Sequence, residues 1–355
     1  MKALLKRLLP KTLIGRLKKA KEQLGSGFIR LMGRSRLLAK LGYGVLSSRF
    51  SRENFVTAAG IRRHHQLNQQ PQQQTHARLR RNTHRLEKGL LMQPRREVFG
   101  LAYLHQLVSD FSDQAAKNDA CSEELQWASS VLTEFFLVAD NNEPAIKAAK
   151  DRFTAVGYQS ETVAYKPYRR DTSLHSQVEF EDFKKLAMQR RSVRWFTDER
   201  VPRPLVERAM GAATLAPSAC NRQPFNVYIV DQGDKLKRAV KQPMGTSGWE
   251  HNIPMLAVFV GDFSSFEAAR DRHVPYIDAS LAAMNLMLAL ETLGLSSCPI
   301  NWPDIEIREQ RMAKLLKLDD WQRPIMCLAI GYAQEEGGIA FSQKKLPEQL
   351  IRYVD

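Results

Sequence analysis

Between Ile277 and Leu293 the chain is apolar almost without interruption, with Ala282, Ala283, Met284, Leu286, Leu288 and Leu290 in the run and Gly294 directly after it. That pattern predicts one long helix, and the glycine suits the left-handed position just past a helix C-terminus. A helix apolar on most of its circumference has to be buried, in a core or a subunit interface. Three β-rich runs accompany it: Phe225 to Val230, Met255 to Val260 (stopped by Gly261) and Pro324 to Ile330. Strands separated by helices, with no GxGxxG after a strand, predict an α+β layered fold and argue against a Rossmann dinucleotide domain. At 355 residues and 43% hydrophobic content the chain can supply one large domain or two ordinary ones.

Charge divides the chain more sharply than hydrophobicity does. Residues 1–100 carry 23 Lys and Arg against 4 Asp and Glu, whereas the remaining 255 carry 30 against 34. The basicity therefore belongs to an N-terminal segment, and the rest is near-neutral, as a soluble enzyme would be. Within residues 1–45, leucines and isoleucines recur at three- and four-residue intervals with Lys and Arg between them, broken at Pro10, Gly25 and Gly33. This is the pattern of short basic amphipathic helices. Such a segment can lie in an anionic membrane surface, dock on an acidic partner, or present a solvated face. Its charge also suits phosphates, but no recognised nucleic-acid motif accompanies it, which argues against nucleic acid. The apolar stretches are too short and too charged for a secretory signal, and none reaches the roughly 18–20 residues that span a bilayer.

The expected organisation is a basic arm over 1–65, a polar linker and loop over 66–96, a helical region over 97–176 and a main domain over 177–355. The linker rests on the glutamine-rich run 66–76. Helical spacing is plain from Val98 to Phe111 and from Glu123 to Ala139, with a further turn or two from Pro144 to Phe153. Residues 158–177 read as a connection. A helix from Phe180 to Met188 then leads into the main domain, and Pro202 marks the start of the next, with Leu205, Val206 and Ala209 on its inner face. Cys121, Cys220, Cys298 and Cys327 are far apart and form no CxxC pair. A disulfide framework or zinc site is not suggested, and a reducing cytoplasm is the natural setting, with the arm available for peripheral contact at the inner membrane face. His64-His65, and His84 with Glu87 at i and i+3, are too few to hold a metal. For the second pair, capping or an ion pair is the simpler reading.

Two clusters carry the chemistry. Arg190-Arg191-Ser192-Val193-Arg194 offers three guanidiniums and a hydroxyl within five residues, a receptor for a phosphate. Ala216-Pro217-Ser218-Ala219-Cys220-Asn221-Arg222-Gln223-Pro224-Phe225 is a loop of small and amide side chains that lets a flat polar ring approach the backbone. A phosphate-tailed aromatic cofactor explains both. In this order and at this spacing the pair resembles that of the nitroreductase family of FMN-dependent oxidoreductases. The resemblance covers about 178–355 and is supported by Asp278 to Gly294, Leu295-Ser296-Ser297, Gly331-Tyr332 and Lys344-Lys345-Leu346-Pro347.

The resemblance implies an α/β/α layered fold with a central, mostly antiparallel sheet, assembled as an intertwined homodimer with FMN at the interface. It implies that Arg190, Arg191 and Ser192 hold the phosphate or ribityl chain, joined by Lys344 and Lys345. Arg194 would lie by the N1/O2 edge of the ring, where positive charge favours the anionic reduced flavin. Pro217, Ser218, Asn221 and Gln223 would meet the flavin of the other subunit, and backbone groups of a Pro299-Ile300-Asn301 loop would lie near N5. The Ile277–Leu293 helix would be the central helix of the dimer. The implied activity is ping-pong hydride transfer from NADH or NADPH to an electron-poor acceptor such as a nitro compound or quinone, with no nucleophile or dedicated proton donor. A specialised reductase or dehydrogenase of a cell-surface polymer or secondary-metabolite pathway is an alternative. So is a flavin-fold module that has lost catalysis. Trp249, Trp302 and Phe225 are candidates for pocket or core, and Cys220 for a redox-sensitive thiol or a small filler. Two departures stand out: Gln343 precedes the basic pair where a further basic residue is often present, and 241–252 offers no match to the family's Asn and Lys contacts with the ring's pyrimidine edge.

Overall fold

The computed structural model describes residues 27–69, 76–117, 122–158, 165–173 and 175–354. The chain forms two compact units, Met1–Phe55 and Val56–Asp355. The first 26 residues, with that part of the expected amphipathic arm, lie outside the described residues, as does Cys121. In the rest of the first unit, 27–32 are helical, and α1 (Arg36–Leu41) runs into a π-helical turn, Gly42–Leu46. Ser35 starts α1 as its N-cap, accepting the Leu38 N–H at 3.1 Å.

The second unit is built on a four-stranded antiparallel sheet: β1 (Phe225–Val230), β2 (Met255–Asp262), β3 (Ser296–Asn301) and β4 (Gln322–Gly331), in the order β1-β2-β4-β3. Alternation sends successive side chains to opposite faces. Leu256, Val258, Val260, Cys327 and Ala329 pack with Val193, Phe196, Trp249 and Trp302 on one side. Met255, Ala257, Phe259, Leu328 and Ile330 pack on the other against α8 (Arg203–Ala213) and α10 (Val274–Thr292). Both tryptophans are thus core residues, each with its indole N–H satisfied: Trp249 by the Gly245 carbonyl at 2.8 Å, Trp302 by Glu309 at 2.9 Å. The layered mixed fold expected from the sequence is present, with helices on both faces of the sheet.

β3 is an addition to the expectation. The sequence predicts a loop at 299–301, and Ser296-Ser297-Cys298-Pro299 is poor strand material. Pairing decides otherwise, since Ser296 to Asn301 lie opposite Gly331 to Met326 of β4. Pro299 is tolerated because β3 is an edge of the sheet. Short α9 (Gly233–Ala239) and α11 (Glu306–Leu316) complete the face that holds Trp302.

A second core belongs to α3 (His76–Leu90), α4 (Leu101–Ala115), α5 (Ser122–Val138) and α6 (Pro144–Ala155), packed through Leu79, Leu86, Leu104, Phe111, Val131 and Phe135. Residues 76–90, read as linker and loop, are therefore a full helix. Its few leucines are spaced to face inward, and several of its polar residues find partners. Arg78 makes two bonds to Asp110, Nε at 2.7 Å and Nη2 at 2.6 Å, and both side chains are buried. His84 Nδ1 lies 3.4 Å from a Glu87 carboxylate oxygen, and Glu87 also accepts the Trp127 indole N–H at 2.9 Å.

Residues 56–65, assigned to the basic arm, likewise pack inward. In α2 (Ser51–Gln69), Val56, Ala59, Gly60, His64 and Leu67 are buried. A Cβ at Gly60 would press into the Phe263 backbone, and His64 Nδ1 lies 2.9 Å from the Ser264 carbonyl. Tertiary contact thus moves the end of the arm to Phe55, and the helical region shares one compact unit with the sheet.

Removing one member of a buried ion pair strands the other. Asp110→Ala should lower unfolding stability by about 3–5 kcal/mol, while the paired apolar replacement Arg78→Met with Asp110→Leu should recover most of the loss. Urea titrations of the two variants check this, and equal losses would show that the pair is not the cause.

Candidate functional site

The arginine cluster begins where α7 (Phe180–Gln189) stops, with Arg190 as its C-cap. From there the backbone is drawn along the free edge of β3. Ser192 makes a parallel bridge with Ser297, and the Val193 N–H donates to the Ser297 carbonyl at 3.1 Å. Burial of Val193 and Phe196 holds the segment down. Asn252 fixes it from the side: its Oδ1 accepts the Phe196 N–H and its Nδ2 donates to the Arg194 carbonyl, each at 2.9 Å. That asparagine lies in 241–252, where no ring contact could be matched, and its role here is to the backbone.

This arrangement leaves donors uncommitted. Among the described residues, Arg190 Nε and Ser297 Oγ are buried without a hydrogen-bond partner. Arg191 and Ser192 are half-buried and Arg194 is exposed. Burial pushes the Cys298 thiol pKa up, with the nearby Arg194 and Arg190 charges opposing. Burial also raises the Glu291 carboxyl, again with Arg190 opposing. Guanidinium and hydroxyl donors gathered on a strand edge are the chemistry that receives a phosphate. Ile300 is buried and Asn301 exposed at the far end of the same strand.

The second cluster is a strained loop. Cys220, Asn221 and Gln223 all have positive φ, 53°, 51° and 50°, a left-handed conformation that costs about 1–2 kcal/mol per L-residue. The surroundings hold it there. The Ser218 hydroxyl donates to Asp278 at 2.6 Å and accepts the Gln223 N–H at 2.8 Å, while the Ala219 N–H donates to the same carboxylate at 3.1 Å. From α3, Arg80 donates through Nε to the Asn221 carbonyl at 2.8 Å. Gln223 Nε2 bonds Asn221 Oδ1 at 3.1 Å. Burial raises the Asp278 pKa above 3.8, with the Ser218 and Ala219 donors pulling the other way.

Beside this loop lies a cavity of about 460 Å³, walled by Pro217, Ser218, Gln223, Phe225 and Asp278 and closed by Arg80 and Glu124 from the helical layer. Phe225 is thus a wall residue, and Cys220 sits at the turn. Arg222 also lines the cavity, its guanidinium 4.8 Å from the Phe266 ring. Burial, then the charge of Arg81, lowers its pKa.

Within one chain the clusters do not converge. Ser218 is tied to Asp278 near the start of α10, whereas Arg190 acts on Glu291 near its end. Those positions are about 20 Å apart at the helical rise per residue. Lys344 and Lys345 are exposed. Arg80, Glu124, Asp278, Asn252 and Ser297 lie at or beside these clusters but outside the two sequence motifs. Only Asp278 had a legible signal, as a carboxylate set into an otherwise apolar helix.

Residues 187–332 match the model of the nitroreductase family. The chain carries a nitroreductase-family domain. It is 26% identical over 178 residues to FMN reductase [NAD(P)H] of Bacillus subtilis (strain 168), covering 46% of this chain and 69% of the relative. It is 27% identical over 201 residues to NADH dehydrogenase of Thermus thermophilus, covering 48% and 94%. A solved FMN-dependent nitroreductase of Clostridium difficile R20291 aligns at 24% identity and TM-score 0.42, over 48% of this chain and 98% of that one. Both clusters fall inside the nitroreductase-family domain, whereas Arg80 and Glu124 precede it.

A raised folded-state pKa means that Asp278 favours folding when protonated. Its contribution is full below pH 3.8 and is lost as pH rises through the folded value. Asp278→Asn keeps an acceptor for both donors without the charge. It should equal or exceed wild-type stability at neutral pH, with that margin closing under acid. Asp278→Ala orphans both donors and should cost about 1–3 kcal/mol. Urea unfolding at neutral and acid pH distinguishes these, and an Asn variant as weak as the Ala variant would refute the role of the carboxylate as acceptor.

Proposed function

We propose that this chain is an FMN-dependent oxidoreductase that passes a hydride from NADH or NADPH to an electron-poor small molecule, a nitro compound or quinone, with donor and acceptor using one pocket in turn. The observation that carries this reading is the arginine–serine segment laid on β3, with buried Arg190 Nε and Ser297 Oγ lacking partners among the described residues, inside the stretch that matches the family. The relatives' names, FMN reductase [NAD(P)H] and NADH dehydrogenase, point to the same pair of cofactors. FMN supplies the reversible two-electron chemistry when bound. Arg190, Arg191 and Ser192, with Lys344 and Lys345, would hold its phosphate and ribityl chain. Arg194 would place positive charge at the ring edge, and Pro299, Ile300 and Asn301 would border it. Pro217, Ser218, Asn221 and Gln223 would meet a ring held by a second copy. A reducing cytoplasm suits this chemistry.

The two-copy arrangement is supported by the separation of the clusters along α10. It also accounts for α10's outer face, where Ile277, Leu281 and Met284 are exposed at i, i+4 and i+7. An apolar stripe of this kind favours self-association. We propose a homodimer centred on this helix.

Purified protein should carry bound FMN at one per chain and lose its visible absorbance when NADH or NADPH is added without oxygen. Arg190→Ala should weaken FMN binding about tenfold or more, the loss expected for a charged hydrogen bond. Colourless protein that ignores added FMN would defeat the reading.

Leu281→Arg, on the exposed face of α10, should shift sedimentation from dimer to monomer and release FMN together with it. A monomer that retains full flavin would contradict the shared site.

A further inference from the structure

The first unit has an interior too small for its apolar content. Met32 is buried against Gly42, where an added Cβ would have to displace the Met32 thioether. Phe28, Tyr43 and Phe50 stack edge to face, at 5.9 Å and 5.0 Å between centroids. With that interior filled, the aliphatic residues point outward. Ile29, Leu31, Leu37 and Leu41 are exposed, and Val45 and Leu46 are 77% and 75% accessible. Exposed Arg30, Arg34, Arg36 and Lys40 alternate with them. Over 27–55 there are six Lys and Arg against Glu53 alone.

We propose that this surface docks at the headgroup–acyl boundary of a bilayer containing anionic phospholipid. The basic side chains complement the headgroups, and the aliphatic ones enter the layer beneath them. Like charge on two such surfaces opposes pairing with a second copy. The outward residues are leucine, isoleucine and valine on a convex pair of turns. Protein-binding hot spots instead favour tryptophan, tyrosine and arginine seated in pockets. Among the described residues no helix is long and apolar enough to cross a membrane, so the contact is interfacial. The inference is independent of the flavin reading.

The test is cosedimentation of the full chain with phosphatidylcholine vesicles, with and without phosphatidylglycerol. Wild type should sediment with the anionic vesicles only, and added salt should weaken the binding. Leu37→Ser with Leu41→Ser and Leu46→Ser should reduce affinity about tenfold or more, and so should Arg30→Gln with Arg34→Gln and Arg36→Gln. All six positions are exposed, so thermal unfolding should be unchanged in both variants, which separates lost docking from lost folding. Failure to sediment with either vesicle, equal binding to both, or unaltered binding by the two variants would each overturn the proposal. The last result would move any lipid contact to residues outside 27–55.

Discussion

One carboxylate inside an apolar helix organises the loop on which the candidate site depends. Asp278 takes the Ser218 hydroxyl and the Ala219 N–H together, and the chain can then turn through the left-handed conformations of Cys220, Asn221 and Gln223. Those conformations are individually unfavourable and persist because the surroundings over-determine them. Burial works against the charge of Asp278, so the two donors are what keep a carboxylate acceptable at 3% exposure. Helix, loop and cavity wall are consequently one mechanical piece.

The helical layer ahead of the nitroreductase-family domain is part of that piece. Arg80 crosses from α3 to the Asn221 carbonyl and stands over the Trp127 ring at 5.4 Å, with Glu124 3.4 Å from its guanidinium. A charged donor on a backbone carbonyl of a strained turn is stronger than a neutral one and fixes the turn more tightly. The layer therefore both steadies the loop and closes the cavity, two tasks assigned to residues outside the matched segment. The shape of the cavity is in this way set partly by helices outside the matched segment.

α10 also separates the two clusters. Its inner face is committed to the sheet through Ala279, Ala283, Leu286 and Leu290, so the arginine–serine donors and the strained loop stay at opposite ends. A site using both needs two chains, and the apolar outer stripe of the same helix offers a way to bring them together. The proposed dimer and the proposed cofactor site thus follow from one geometric constraint.

Much of this was legible in the residues. The long apolar helix, three of the four strands, and the main helices of the N-terminal region declared themselves through period and punctuation. Both clusters were visible because they concentrate unusual side chains in a few positions. What escaped were features whose signal is a partner distant in sequence. The helix over 76–90 looked like linker because its polar residues outnumber its leucines, yet Arg78 finds Asp110 and Glu87 finds Trp127 only in three dimensions. β3 reads as loop until β4 supplies its hydrogen bonds. Local composition thus determined the fold class, the candidate binding clusters and the basic character of the arm. Tertiary structure alone decided that the clusters lie at opposite ends of one helix and that Arg80 and Glu124 reach the cavity, because a contact between remote segments depends on packing directions that no local window of sequence contains.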